Sequence, residues 1–168
     1  TPAEHLQLVQ YQFNKYTTEK ESTKELNEIL VCGVDSAAEK RAFTAGLAVG
    51  ESANFTRDIA NTTGEDMTPT KLAKAATSTL KDSKVSVKVL NYQAIKKLKM
   101  GLLEAVGKGA TDKPNMIVME YWGAGKPKKG DEKKAPIALI GKGITYDSGG
   151  LNVKPTGAMH DMHMDMSG

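Results

Sequence analysis

The sequence predicts an α/β fold, because stretches with the apolar spacing of helices alternate with short runs typical of strands. Apolar residues make up 39% of the 168 residues and charged residues 26%, a balance typical of globular proteins with one sizeable core. No apolar run approaches the roughly 18 residues that a membrane span needs. The composition therefore excludes fibrous and membrane-spanning classes, and we expect a soluble protein.

The N-terminal stretch predicts one helix and one strand. Apolar residues recur at helical spacing over residues 6–16, and the run over 28–33 is short and apolar, as in a buried strand. Cys32 lies in this run and, as the single cysteine, cannot form an internal disulfide. We therefore expect Cys32 to be a small buried residue in a reducing compartment, which indicates a cytoplasmic location.

A long helix is predicted next. Ser36 and Glu39 have the spacing of a capping box, in which the serine oxygen and the glutamate carboxylate each accept a backbone N–H at the start of a helix. This helix should run to about Asn61. Its small residues, among them Gly46 and Gly50, would let another backbone come close.

The remaining chain alternates helix and strand signals. Thr68-Pro69 places an N-cap before a proline at the first helical position, which predicts a helix. The other predicted elements are a half-buried strand over 85–89, a helix over 92–99, and two central strands over Met116–Tyr121 and Ile137–Ile140. Because active sites in α/β sheets collect at the carboxyl ends of strands, the segment after Ile140 is the first candidate for a functional site.

A lysine-rich stretch over 126–134 contributes five positive and two negative charges to a chain with 23 Lys+Arg and 20 Asp+Glu. Its turn residues predict a surface loop that joins two strands. A basic surface attracts nucleic acid without sequence preference, but this stretch lacks interleaved aromatic residues. We therefore do not expect a nucleic-acid partner.

The segment 141–168 concentrates residues that can do chemistry, including Lys142, Asp147, Lys154 and Asp165 among several glycines. A lysine amine ligates a metal only when deprotonated, and burial beside a divalent cation favours that state. Two carboxylates and one neutral amine would suit Zn²⁺, Mn²⁺ or Co²⁺. Spacing alone leaves open an ordinary turn with a solvated lysine, and a phosphate-cradling loop around Lys142.

The same segment resembles the signature region of the leucyl aminopeptidase family, the cytosolic two-metal aminopeptidases. The resemblance lies in Lys-Gly-Ile-Thr-Tyr-Asp-Ser-Gly-Gly at 142–150, in Lys154-Pro155, and in the register of Met159, Met162, Asp165 and Met166. Upstream, 54–58, 61–62 and 67–69 are similar to the start of the family's catalytic domain, and 101–109 to its next characteristic block.

This resemblance implies a role for each site residue. Lys142, Asp147 and Asp165 would ligate two divalent ions, with Asp147 bridging both. Lys154 would stay charged and stabilise the developing oxyanion, and Met162 would line the pocket for the substrate's first side chain. The implied reaction is the release of an N-terminal amino acid, leucine-type, from a peptide by metal-activated water.

The resemblance also implies a domain organisation. Residues 62–168 would be the first part of a three-layer catalytic domain, preceded by a linking helix at 36–61 and by the end of an N-terminal α/β domain at 1–35. The family's remaining ligands, an Asp and a Glu in Asn-Thr-Asp-Ala-Glu-Gly-Arg, are absent from this sequence. We therefore expect the 168 residues to be part of a longer protein and to be inactive alone. The family also implies a homo-hexamer.

Two alternatives stay open. A non-catalytic family member could serve as a structural or nucleic-acid-binding subunit, although such a protein would not need an intact set of site residues. His160 and His163 lie close in sequence to Asp161 and Asp165, and this cluster could hold an independent zinc ion. The family register favours neither histidine as a ligand, because His163 stands where a lysine or arginine is usual.

Overall fold

The computed structural model of the protein describes residues 1–18, 26, 28–128 and 136–168. The described residues divide into two units, Thr1–Thr62 and Thr63–Gly168. The domain boundaries predicted at 35/36 and 61/62 stay predictions. Most of the lysine-rich stretch, with its predicted surface loop, lies outside the described residues.

Two capped helices form the first unit. Helix α1, Pro2–Val9, begins at Thr1, whose hydroxyl accepts the Glu4 backbone N–H at 3.3 Å. Helix α2, Ala37–Asn61, begins at Ser36. The Ser36 hydroxyl accepts the Glu39 N–H at 3.2 Å, and the Ser36 N–H donates to the Glu39 carboxylate at 2.8 Å. The capping box and the helix predicted from it are therefore confirmed.

Glycines on α2 let α1 pack closely against it. A Cβ placed on Gly50 would lie 2.5 Å from Gln7 Cβ, and one on Gly46 would overlap the Thr1 hydroxyl. Ala3 is buried in the contact. The predicted close approach of a second backbone is confirmed, and helix α1 is the element that makes it.

Helix α1 ends earlier than the predicted span of 6–16. Side chains of α2 bind the carbonyl groups that its last turn leaves free, since Asn54 Nδ2 donates to the Gln7 carbonyl oxygen at 2.8 Å. Beyond the helix, the Tyr11 hydroxyl donates to Asp58 at 2.9 Å and accepts from Asn61 Nδ2 at 3.2 Å. These contacts hold Tyr11 against α2.

The second unit alternates helices and strands. Helix α3, Pro69–Thr79, begins at the predicted N-cap Thr68. The further elements are β1 Val85–Leu90, α4 Tyr92–Lys97, α5 Gly101–Gly107, β2 Met116–Tyr121, α6 Thr156–Met159 and a 3₁₀ turn at His160–His163. β1 and β2 pair antiparallel, with Val85 opposite Tyr121 and Leu90 opposite Met116. The α/β class is therefore confirmed, with a small sheet among the described residues.

The interior of the second unit lies around α3 and α4. Ile95 of α4 is fully buried, and Ala73 of α3 is nearly so. Asp112, in the loop after α5, accepts hydrogen bonds from the Thr70 backbone N–H at 3.0 Å and from its hydroxyl at 2.6 Å. This loop therefore fixes the N-terminus of α3. No helix in the described part of the chain is long and apolar enough to cross a membrane.

Two predicted strands are wrong. Within the described residues, neither 28–33 nor Ile137–Ile140 forms a strand. The residues Ile137, Leu139 and Ile140 are 90–98% exposed, and Cys32 is exposed rather than buried. A strand is held by hydrogen bonds to a neighbouring strand, and apolar composition alone supplies none. β1 and β2 meet this requirement by pairing with each other.

Candidate metal centre

A glycine turn brings Lys154 back to Asp147. Gly149 and Gly150 have φ values of 87° and 69°, in the left-handed region that glycine tolerates. The Gly149 N–H donates to Asp147 Oδ1 at 2.8 Å, and the Lys154 N–H donates to the Ser148 carbonyl at 2.9 Å. This reversal places Lys154 Nζ 3.3 Å from Asp147 Oδ2.

The surroundings of Asp147 keep its carboxylate ionised. The hydrogen bond from the Gly149 N–H lowers its pKa from the ordinary value of 3.8, and the hydrogen bond and charge of Lys154 lower it further. The positive charge of Lys142 acts in the same direction. Asp147 therefore carries its negative charge at neutral pH, which is the state that binds a cation.

A second ion pair joins Lys142 Nζ to Asp165 Oδ2, between residues 23 apart in the sequence. Because Lys142 also lowers the pKa of Asp147, its ammonium group acts on both carboxylates. The four charged side chains thus form two ion pairs, Lys142 with Asp165 and Lys154 with Asp147. We call them the Lys/Asp cluster, and its members are Lys142, Asp147, Lys154 and Asp165.

Short-range contacts bring the segment with Asp165 to the segment with Lys142. Met166 is buried, and its N–H donates to the Met164 carbonyl at 2.8 Å. A Cβ placed on Gly168 would lie 3.1 Å from the Lys142 backbone nitrogen. The last residues of the chain therefore lie along the segment that carries Lys142.

The remaining candidates lie in the 3₁₀ turn between Lys154 and Asp165. Met162 is half-buried in the 3₁₀ turn, and its role in a substrate pocket stays a prediction. The His163 ring nitrogen Nδ1 lies 3.0 Å from the His160 carbonyl oxygen. Among the described residues, no group of three or more His, Cys, Asp or Glu side chains is close enough to hold a metal ion. The alternative zinc site at His160 and His163 is therefore not formed.

The donor set of the Lys/Asp cluster fits a divalent cation. Asp147 and Asp165 offer carboxylate oxygens, and the Lys142 amine is paired with Asp165. A divalent ion in place of the ammonium proton would keep both carboxylates neutralised. Mixed oxygen and nitrogen donors suit Mn²⁺, Zn²⁺ and Co²⁺. The structure joins the four predicted site residues in two ion pairs, and their individual roles stay predictions.

Sequence reasoning missed one neighbour of the cluster. Gly64 lies directly against the side chain of Tyr146, the residue before Asp147. A contact between residues so far apart in the chain leaves no periodic or motif signal in either segment. Only the folded structure reveals it.

Comparison with known proteins identifies the same region. Residues 54–168 match the model of the cytosol aminopeptidase family, catalytic domain. A probable cytosol aminopeptidase of Bdellovibrio bacteriovorus is 39% identical over 168 residues, which are 99% of this chain and 32% of that protein. The protein of the same name from Chlamydia abortus is 42% identical over 160 residues, which are 94% of this chain and 31% of that protein. The chain thus spans about a third of the length of these relatives.

Solved structures agree with this assignment. The cytosol aminopeptidase from Coxiella burnetii superposes with a TM-score of 0.75 at 30% identity, over 99% of this chain and 32% of that one. The bottromycin maturation enzyme BotP in complex with Mn also gives a TM-score of 0.75, at 29% identity and with the same coverage. Because the family match covers more than half of its residues, the chain belongs to the cytosol aminopeptidase family.

Proposed function

We propose that the full-length protein is a metal-dependent aminopeptidase that releases N-terminal amino acids, leucine-type, from peptides. The observation that carries this proposal is the Lys/Asp cluster, in which both lysines contact a carboxylate. The names of the relatives from Bdellovibrio bacteriovorus and Chlamydia abortus support an aminopeptidase.

The proposed metal ligands are Asp147, Asp165 and Lys142, with Asp147 bridging two divalent ions. Mn²⁺ is supported by the BotP complex, and Zn²⁺ and Co²⁺ suit the same donors. The ions, when bound, supply a water of lowered pKa and polarise the scissile carbonyl. Since the chain contains only part of its relatives' length, we propose that ligands outside these residues complete the site and that the 168 residues alone are inactive.

Lys154 is proposed as the catalytic residue that faces the substrate carbonyl. Its Nζ lies 3.3 Å from Asp147, so it can reach a substrate atom held beside that carboxylate. A fixed positive charge there stabilises the negative charge that accumulates on the carbonyl oxygen during hydrolysis. Met162 is proposed to contact the first side chain of the peptide, because an apolar, half-buried side chain suits leucine.

Further parts of the proposal concern the setting of the enzyme. The names of the relatives favour a cytosolic location. A homo-hexamer is proposed from the family resemblance alone. We propose no membrane or nucleic-acid partner.

The experiment that tests the function uses the full-length protein and a leucyl peptide. Chelation should abolish release of leucine, and added Mn²⁺, Zn²⁺ or Co²⁺ should restore it. Asp147→Ala should lose both activity and bound metal by elemental analysis. Asp161→Ala is the matched control, because it removes an exposed carboxylate from the same segment. Full activity after chelation, or unchanged metal content in Asp147→Ala, would overturn the proposal. If the metal-loaded protein does not hydrolyse the peptide, the result favours the alternative of a non-catalytic subunit.

A further inference from the structure

The residues between Lys142 and Asp147 lie against the beginning of the second unit. Thr145 is buried, with 8% of its surface exposed. Beside it, a Cβ placed on Gly143 would contact Leu72 Cδ2 of helix α3 at 3.6 Å. The segment that connects these two residues of the cluster is therefore docked onto other residues of its own unit.

The closest of these contacts involves Gly64. A Cβ placed on Gly64 would lie 2.8 Å from Tyr146 Cβ, 3.2 Å from Cγ and 3.3 Å from Cδ2. Only a residue without a side chain leaves room for Tyr146 in this position. Gly64 does not have a positive φ, so the close approach, rather than backbone conformation, explains the need for glycine here.

Gly64 belongs to a hydrogen-bonded turn over residues 63–67, which we call the anchor turn. The N–H groups of Asp66 and Met67 both donate to the Thr63 carbonyl, at 3.0 and 2.8 Å. The turn leads directly into Thr68, which caps helix α3. Tyr146 therefore packs against a turn whose backbone is held by hydrogen bonds.

We propose that Gly64 and Tyr146 are positioning residues for the metal centre, and this inference rests on the proposed function. Tyr146 is joined to Asp147 by a single peptide bond. Any displacement of the Tyr146 Cβ therefore moves the Asp147 backbone and its carboxylate. Metal sites tolerate little such displacement, since ligand distances are held to about 0.2 Å. The anchor turn thus sets the position of Asp147 without itself contacting the ion.

The test measures Mn²⁺ binding to the full-length protein, with free Mn²⁺ followed by its electron paramagnetic resonance signal. Gly64→Ala should weaken Mn²⁺ binding about 10–100-fold, the usual effect of removing support for a metal ligand. The matched control is Gly107→Ala, whose Cβ would lie 2.5 Å from Pro114 Cγ. This control creates a comparable clash elsewhere in the unit, so it should lower the melting temperature and leave Mn²⁺ affinity within about twofold of the unsubstituted protein.

A second pair of variants keeps the inference testable if Gly64→Ala fails to fold. Tyr146→Phe retains every atom that lies near Gly64 and should keep normal Mn²⁺ affinity. Tyr146→Ala loses Cγ and Cδ2 and should bind Mn²⁺ more weakly. In the Tyr146→Ala background, Gly64→Ala should cause a smaller further loss, because the tight contacts with Cγ and Cδ2 are gone and only the clash with Cβ remains.

The inference is overturned if Gly64→Ala folds and leaves Mn²⁺ affinity unchanged, or if it changes that affinity no more than Gly107→Ala does. It is also overturned if Tyr146→Ala and Tyr146→Phe bind Mn²⁺ with the same affinity. These outcomes differ from failure of the proposed function. If the proposed function fails, the unsubstituted protein will not bind Mn²⁺, or Asp147→Ala will bind it normally. Both proposals would then fall together.

Discussion

The two lysine–aspartate pairs of the cluster are alike in chemistry and unlike in construction. Lys154 and Asp147 meet across a short glycine turn whose backbone hydrogen bonds hold both residues. Lys142 and Asp165 lie 23 residues apart and meet because the last residues of the chain pack along Gly141 and Lys142. The first pair is built locally, whereas the second depends on the docking of two separate segments.

This difference suggests different uses for two identical ammonium groups. All four side chains are substantially exposed, from 31% for Lys154 to 52% for Asp165. Ion pairs with such exposure contribute little to stability, about 0–1 kcal/mol each. A cluster of four charges is therefore better explained by binding than by folding. In the proposed function, Lys142 is a metal ligand and Lys154 is the residue that faces the substrate, and these two roles predict different effects of substitution.

The largest effect is expected for Lys142→Ala in the full-length protein. The substitution removes a proposed ligand, so Mn²⁺ affinity should fall by more than the about 10–100-fold typical of residues that only support a ligand. Turnover of a leucyl peptide should fall with it. Metal titration and steady-state kinetics measure the two effects, with Lys97→Ala on the exposed face of α4 as the control lysine. Normal metal binding by Lys142→Ala would contradict the assignment.

Lys154→Ala should separate catalysis from metal binding. Removing one charge that stabilises the oxyanion typically lowers kcat about 10²–10³-fold, or roughly 3–4 kcal/mol. Metal content should stay near normal, because Asp147 keeps its backbone hydrogen bond from Gly149 and loses only a competing cation. Elemental analysis and kcat on a leucyl substrate test this expectation. Wild-type turnover, or loss of metal as in Lys142→Ala, would show that the two lysines are not divided in this way.

Lys154→Arg should have a smaller effect than Lys154→Ala. Arginine keeps the positive charge but is longer and planar, so it places the charge differently in the site. We expect kcat to lie between those of the alanine variant and the unsubstituted protein, with normal metal content. If arginine restores the full rate, charge alone matters at this position; if it restores none, position decides.

The contrast between the two pairs also explains how much the sequence could predict. Local signals were read correctly: the capping box of Ser36 and Glu39, the N-cap at Thr68, and the alternating strand that became β1. The turn that joins Asp147 to Lys154 could be anticipated from its glycines, since they tolerate positive φ. The Lys142–Asp165 pair has no such local cause and was suggested only by family resemblance.

Long-range requirements account for the errors. Met116–Tyr121 and Ile137–Ile140 are both short and mainly apolar, but only the first has a partner, β1, among the described residues. Composition indicates that a segment can form a strand, and pairing decides whether it does. The contact between Gly64 and Tyr146 escaped prediction for the same reason, because tertiary packing creates it.

Asp112 provides the last and smallest test, since its hydrogen bonds come from the neutral groups of Thr68 and Thr70. Burial raises the pKa of Asp112, but hydrogen bonds from Thr68 and Thr70, together with the charge of Lys71, outweigh burial and leave the pKa below 3.8. A carboxyl group whose pKa is lowered by folding stabilises the protein above its unfolded pKa, and this stabilisation is lost as the pH falls through the folded value. Asp112→Asn replaces a charged acceptor at the start of α3 and should cost about 1 kcal/mol at pH 7.

Thermal unfolding of the full-length protein between pH 7 and pH 3 measures this effect. The melting temperature of Asp112→Asn should lie below that of the unsubstituted protein at pH 7, and the difference should shrink as the pH falls below about 4, where the carboxyl group protonates. Asp82→Asn, in the exposed turn after α3, is the control and should not change the melting temperature at either pH. Added salt should weaken the Lys142 and Lys154 pairs more than the Asp112 contacts, because ions screen charge pairs more strongly than hydrogen bonds from neutral donors. A difference for Asp112→Asn that stays constant with pH would show that the amide disturbs packing and that the charge of Asp112 is not what holds the start of α3.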